Sequence, residues 1–128
     1  MFKINPDTKQ ISITRGDTAT IKITSTDPDG ANYIFKVEDV VRLKVFKRND
    51  CQCVEIQKDV KVEEETMEVN VQLSSEDTTI GELINKPTKY WYEVELNPDT
   101  NCQTLIGYDE EGAKEFVLYP EGGSLNDN

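Results

Sequence analysis

The alternation of apolar and polar positions from Gln10 to Thr24 sets the frame for the whole chain. Ile11 and Ile13 alternate with Gln10, Ser12 and Thr14; past Arg15-Gly16-Asp17, Ala19, Ile21 and Ile23 point one way and Thr20, Lys22 and Thr24 the other. A period of two on both sides of a glycine turn predicts half-buried antiparallel strands joined as an opening hairpin. The same grammar recurs downstream. Tyr33, Phe35 and Val37 alternate inward, a break falls near Glu38-Asp39, and Val41, Leu43 and Val45 continue on one face, with Val40, Arg42, Lys44 and Phe46 on the other. Cys53 to Gln57 and Val60 to Val62 read as one interrupted strand or two short ones. Thr66 to Leu73 is the cleanest strand, with Met67, Val69, Val71 and Leu73 inward. Lys89 to Leu96 follows with Tyr90, Tyr92, Val94 and Leu96 on one face, and Cys102 to Tyr108 with Ala113 to Tyr119 predicts a final hairpin.

Turn signals punctuate these runs. Asn5-Pro6-Asp7 closes Met1 to Lys9, a short edge strand or an arm holding Phe2 and Ile4; Asp27-Pro28-Asp29-Gly30 opens a second hairpin. Ser74-Ser75-Glu76-Asp77 carries an N-cap signature, which predicts a short helical turn near 75–84. Pro120 stops the last strand, and 121–128 reads as a flexible tail. About eight or nine strands at this spacing predict an all-β fold, a single Ig-like antiparallel β-sandwich domain over 1–128 with its core at 10–120. The cysteine pair bracketing a tryptophan that marks antibody domains is absent.

Composition narrows the partners. The 128 residues suffice for one core, and with 36% hydrophobic and 30% charged residues that core is lean. A net charge of -11, from 25 acidic and 14 basic residues, repels phosphate backbones and anionic lipid, which argues against nucleic-acid and membrane partners. No stretch approaches the roughly 18 apolar residues of a spanning helix, and Met1 to Lys9 lacks a signal-peptide pattern, so synthesis in a cytosol is expected. Cys51, Cys53 and Cys102 are an odd count; reduced thiols are expected, with a bridge from Cys102 to Cys51 or Cys53 as the alternative.

Candidate chemistry is sparse. The chain has no histidine, which removes Ser-His-Asp and Cys-His catalysis and the usual zinc sites. Asp77 with Glu82, or Glu93 with Glu95, could be nominated as an acid and base, but the latter share one strand face that points into solvent. The acidic turns at Asp27 to Gly30 and Asp109 to Gly112 lack a calcium-loop pattern. Arg15-Gly16-Asp17 matches an integrin-binding tripeptide, and a glycine between polar residues is equally what a tight turn needs. No enzyme activity, metal or cofactor is expected. Trp91, flanked by Lys89 and Glu93, faces outward: it is either an anchor for a protein interface or is covered by the Ser75 to Pro87 segment.

Taken in order, Ile13 to Ile23, the Pro-Asp-Gly turn, the Asp39 to Val45 strand, Leu73 followed by Ser-Ser-Glu-Asp-Thr, and Tyr90-Trp91-Tyr92-Glu93-Val94 resemble the N-terminal β-sandwich domain of tailed-phage baseplate upper proteins and related prophage tail proteins. In that family a strand entered through a Gly-Asp-Thr turn opens the domain and a Tyr-x-Tyr-Glu strand lies near its end. Its members continue into helical, receptor-proximal segments, whereas this sequence ends at Asn128, which points to a small virion protein of baseplate, tail or head surface. The resemblance implies a non-enzymatic structural role, homo-oligomeric assembly with other phage structural proteins, and contacts through Trp91, Phe2, Ile4 and the sheet edges. The alternative is a carbohydrate or host-surface binding module with Trp91 as a stacking platform.

Overall fold

The computed structural model describes residues 2–26, 29–47, 54–80, 86–107 and 112–120. It is all-β, a sandwich of nine strands in two sheets: β1 (Phe2–Ile4), β2 (Ile11–Thr14), β3 (Ala19–Ile23), β4 (Val40–Phe46), β5 (Val54–Lys61), β6 (Val69–Leu73), β7 (Thr88–Leu96), β8 (Gln103–Ile106) and β9 (Lys114–Tyr119). The larger sheet runs β1-β2-β9-β7-β4-β5, with β8 added to β7, and the smaller is the antiparallel pair β3-β6. Among the described residues no helix is long and apolar enough to cross a membrane.

Alternation dictates the core. Ile11 and Ile13, Phe116 and Leu118, Tyr90, Tyr92, Val94 and Leu96, and Val41, Leu43 and Val45 come from the larger sheet, and Ile21, Ile23, Val69, Val71 and Leu73 close over them from the smaller. Phe35 and Val62, outside any strand, fill the same core. Apolar area removed from water in this layer is the main favourable term holding the two sheets together.

The opening hairpin is not formed. β2 lies between β1 and β9, antiparallel to the first and parallel to the second, while β3 pairs with β6 in the other sheet. The turn explains why. Asp17 N–H donates to the Thr14 carbonyl at 3.0 Å, and Gly16, third of the four residues, takes φ +89° while Arg15 keeps an ordinary φ. Positive φ at that position alone is a type II turn, which splays its flanking strands, whereas hairpins use the primed types. The chain therefore arches from one sheet to the other. The first true hairpin is β1–β2, around a turn in which Asn5 Oδ1 accepts the N–H groups of Asp7 and Thr8 and Asn5 N–H donates to Gln10. Of the segment expected to be an edge strand or an arm, Phe2–Ile4 is the edge strand, and Met1 lies outside the described residues.

The final hairpin is also replaced. β8 and β9 both pair with β7, β9 along Thr88–Tyr92 and β8 along Val94–Leu96. A register shift between Val94 and Glu95 lets the consecutive Leu105 and Ile106 both pack toward the core. Tyr33 to Val37 forms no strand: Phe35 makes an isolated bridge to Thr66, and Val37, expected inward, is exposed at a turn where Glu38 has φ +81°. Met67 is likewise exposed, because the Thr66 hydroxyl engages both N–H and carbonyl of Glu68 and interrupts the strand. Conversely, β5 is continuous from Val54. The expected helical turn is, over its described part, a hydrogen-bonded turn at 75–78 with no helix; 81–85 lie outside the described residues.

Candidate functional site

Three groups of side chains on the sandwich bear on function: the glycine arch, the outer face of β4 and β7, and the open strand edges. The arch comes first because its sequence suggested adhesion. Gly16 N–H donates to Thr78 Oγ1 at 3.1 Å, and the same hydroxyl donates to the Asp17 carbonyl at 2.7 Å; Thr78 is fully buried. Arg15 Nε donates to the Ile80 carbonyl at 3.2 Å and Arg15 N–H to that of Tyr119. The Arg15-Gly16-Asp17 triplet is clamped, half-buried, under the Ser74–Ile80 segment. A mobile loop presenting both charges, which an integrin-type contact needs, is not what this geometry provides.

That clamp has its own anchor. Ser74 N–H donates to Asp77 Oδ2 and Asp77 N–H to Ser74 Oγ, the reciprocal pattern of a capping box, so the N-cap signal was real although no helix follows. Lys58 Nζ reaches Asp77 Oδ2 at 3.1 Å. Burial opposes the Asp77 charge, yet the Ser74 hydrogen bonds and Lys58 outweigh it and hold the carboxyl below its usual range.

On the outer face, Lys44 bridges Glu93 Oε1 at 3.4 Å and Glu95 Oε1 at 3.0 Å. These carboxylates were expected in open solvent; instead their side chains are only 17% and 15% exposed, because β4 and β7 pair side by side and place Lys44 against both. Glu95 Oε1 is buried and takes no well-aligned hydrogen bond, its partner being the Lys44 ammonium. Desolvation works against the ammonium, and the two carboxylates more than offset it, raising its pKa. Cys102, a free exposed thiol, donates to Glu95 Oε2 at 3.5 Å, and local desolvation with the Glu95 and Glu93 charges raises its pKa too. Its candidate partners Cys51 and Cys53 lie outside the described residues. Next along the face, Arg42 makes a two-pronged contact with Asp59 at 2.8 and 3.0 Å and reaches Asp99 at 3.1 Å. Hydrogen bonding to Arg42 lowers the Asp59 pKa against a smaller opposing effect of burial.

The carboxylates on this face are thus matched to cations rather than poised as an acid and a base. Of the nominated pair Asp77 and Glu82, Asp77 is committed to Ser74 and Lys58 and Glu82 lies outside the described residues. Among the described residues no group of three or more cysteine, aspartate or glutamate side chains could hold a metal ion. Of the two acidic turns, residues 27–28 and 109–111 lie outside the description.

Trp91 lies on the outer face of β7, between Phe46 of β4 and Glu115 of β9 in register, and is half-buried. Phe46 beside it is only 3% exposed although it belongs to the same outer face, with Lys44 Nζ 5.7 Å from its ring centre. Phe2 and Ile4 pack against the core from β1, so their apolar faces are largely committed, while the outer edge of β1 stays open. The structure does not bring Trp91 together with Phe2 and Ile4: β7 and β1 are separated by β9 and β2.

Neither a protein-family model nor a curated protein matches the sequence. Two groups escaped the sequence reading. One is the Asp39 knot, where Tyr33 Oη, Lys36 N–H and Asn97 Nδ2 all donate to the Asp39 carboxylate and Asn97, at φ +50°, accepts from Val40 N–H. The other is the free edge of β3, which depends on topology and has no signature in the sequence.

Proposed function

We propose that this chain is a non-enzymatic structural module of a bacteriophage particle, in the baseplate, tail or head surface, working through protein–protein contacts with copies of itself and other phage structural proteins in the virion. The observation that carries the assembly reading is the set of unpaired strand edges: among the described residues nothing pairs along the outer sides of β1, β3, β5, β6 and β8. Such edges invite main-chain pairing with another chain. The ion-matched outer face supports the same reading, since it offers rim-type charged contacts in place of a reactive cleft. The placement in a phage particle rests on the likeness of Ile13 to Ile23 and Tyr90 to Val94 to the baseplate family.

Mass spectrometry of purified particles from the strain carrying the gene, together with sedimentation of the isolated protein, tests this. The chain should be present in particles and should associate with itself or with a co-purified virion protein. A strictly monomeric protein that is absent from particles overturns the proposal. Specific glycan-array binding that vanishes in Trp91→Ala would replace it with surface recognition.

A further inference from the structure

A groove of about 420 Å³ opens between the free edge of β3 and the free edge of β8. We propose that it binds an extended acidic segment of a partner protein by strand addition to β3. This deepens the assembly reading and rests on it, by naming where one contact is made and what makes it.

Backbone geometry comes first. Tyr33 N–H donates to the Ser25 carbonyl, Phe35 two residues on bridges Thr66 just ahead of β6, and the Asp17 carbonyl accepts from Thr78 just beyond it, so the backbone groups of the odd-numbered residues are taken to face the β6 side. Because the backbone groups of successive residues point to opposite sides, those of Lys22 and Thr24 face away from β6, into the groove. They are the hydrogen-bonding ladder an added strand would use. The open edges are not equivalent, and that of β6 lies against β5. β1 is only three residues long, and β5 carries Glu55, Lys58, Asp59 and Lys61, the charged guard that keeps edges from pairing. β3 and the residue that follows it present Thr20, Lys22 and Thr24, with a single charge among β-branched residues.

Side-chain chemistry then selects the occupant. Ile4, Leu105 and Ile106, each partly buried, form the apolar side of the groove. Lys9 and Lys22 stand in its lining, and no carboxylate does, in a chain whose net charge is -11. Lys22 keeps only a long exposed contact to Glu68 at 3.6 Å. A strand with apolar residues toward Ile4 and Ile106 and acidic residues at alternate positions would satisfy both sets.

The test uses the full chain, labelled with nitrogen-15, and a short synthetic peptide alternating glutamate with valine and isoleucine. Binding should shift the amide resonances of Lys22, Thr24 and 104–106 and protect the Lys22 and Thr24 amides from exchange. A peptide of the same sequence N-methylated at alternate residues should not bind. The double variant Lys9→Glu, Lys22→Glu, checked for an unchanged melt, should bind about tenfold more weakly. The proposal is overturned by equal binding of the N-methylated peptide or of a lysine-for-glutamate peptide, by shifts confined to β1 or β5, or by no binding at millimolar peptide. Self-association abolished by the double variant without peptide binding would overturn it in favour of a second copy. Failure here with the chain still present in particles removes the groove and leaves the assembly reading; peptide binding by a chain absent from particles does the reverse.

Discussion

Thr78→Val measures how much the crossing between the sheets depends on one hydroxyl. Valine keeps the shape of the side chain, which is fully buried, but removes the acceptor for Gly16 N–H and the donor to the Asp17 carbonyl. Leaving a buried polar group without a partner costs about 1 to 3 kcal/mol. Gly16 and Asp17 are half-buried, so water recovers part of that for each, and a total loss of about 2 kcal/mol follows. With an unfolding entropy of about 0.27 kcal/mol/K for a chain this long, Tm should drop by about 7 °C. Urea denaturation followed by circular dichroism gives the free energy directly, with Thr79→Val as control: Thr79 is exposed, its hydroxyl reaches only the Ser75 carbonyl, and its loss should stay within about 0.5 kcal/mol. Thr78→Ser keeps the hydroxyl and should lose less than Thr78→Val. Equal effects of Thr78→Val and Thr79→Val, or a Thr78→Ser loss as large as that of Thr78→Val, would refute the reasoning.

Three further outcomes follow from the same geometry. Gly16→Ala forces a side chain into φ +89° and should cost about 1 kcal/mol in the same urea assay, without changing the far-ultraviolet spectrum. Tyr92→Phe removes the hydroxyl that donates to the Lys9 carbonyl and should cost about 1 kcal/mol, with nuclear magnetic resonance shifts concentrated at residues 5–10. Asp39, Asp59 and Asp77 all have lowered pKa values, so their contribution is complete above the unfolded-state value of about 3.9 and is lost as pH falls through the folded values. Tm measured from pH 7 down should therefore hold nearly level to about pH 5 and fall below about pH 4, and Asp39→Asn should flatten that fall; a melt that climbs on acidification would contradict the assignment.

Strand existence was legible in the residues, and strand partnership was not. Val69 to Leu73 and Tyr90 to Leu96 face inward at every second position as the alternation requires, because each lies within one uninterrupted strand. Met67 and Val37 failed where a local device reset the frame: the Thr66 hydroxyl in one case, and in the other the turn at Lys36–Asp39, where the Asp39 carboxylate accepts Lys36 N–H. Alternation says which face is apolar and nothing about which strand lies alongside. Ile11 and Ile21 would be equally buried side by side or facing each other across the core. The discriminating signal was the order of the turn residues, since Arg15-Gly16 puts glycine second, where a type II turn needs it, and not first or after asparagine, as hairpins favour. The Glu93 and Glu95 side chains were misjudged for a related reason: their cover comes from Lys44, forty-nine and fifty-one positions away, and only the β4–β7 register brings it there.

The arch and the groove are one consequence of that turn. Had β2 and β3 paired, one edge of β3 would carry β6 and the other β2, and no open ladder would remain. Instead both edges of β2 are occupied, by β1 and β9, so it cannot fold back to cover its neighbour in sequence. β3 is left with β6 on one side and the cleft beside Ile106 on the other. The clamp of Thr78 on Gly16 and Asp17 holds the chain in the splayed arrangement, and so bears on the exposed edge of β3 as well as on stability. A candidate binding edge of this kind is assembled from Ile4 and Lys9, from 21–26, from Tyr92 and from 104–106, stretches without a common motif, which is why it emerges from strand order rather than from residue pattern.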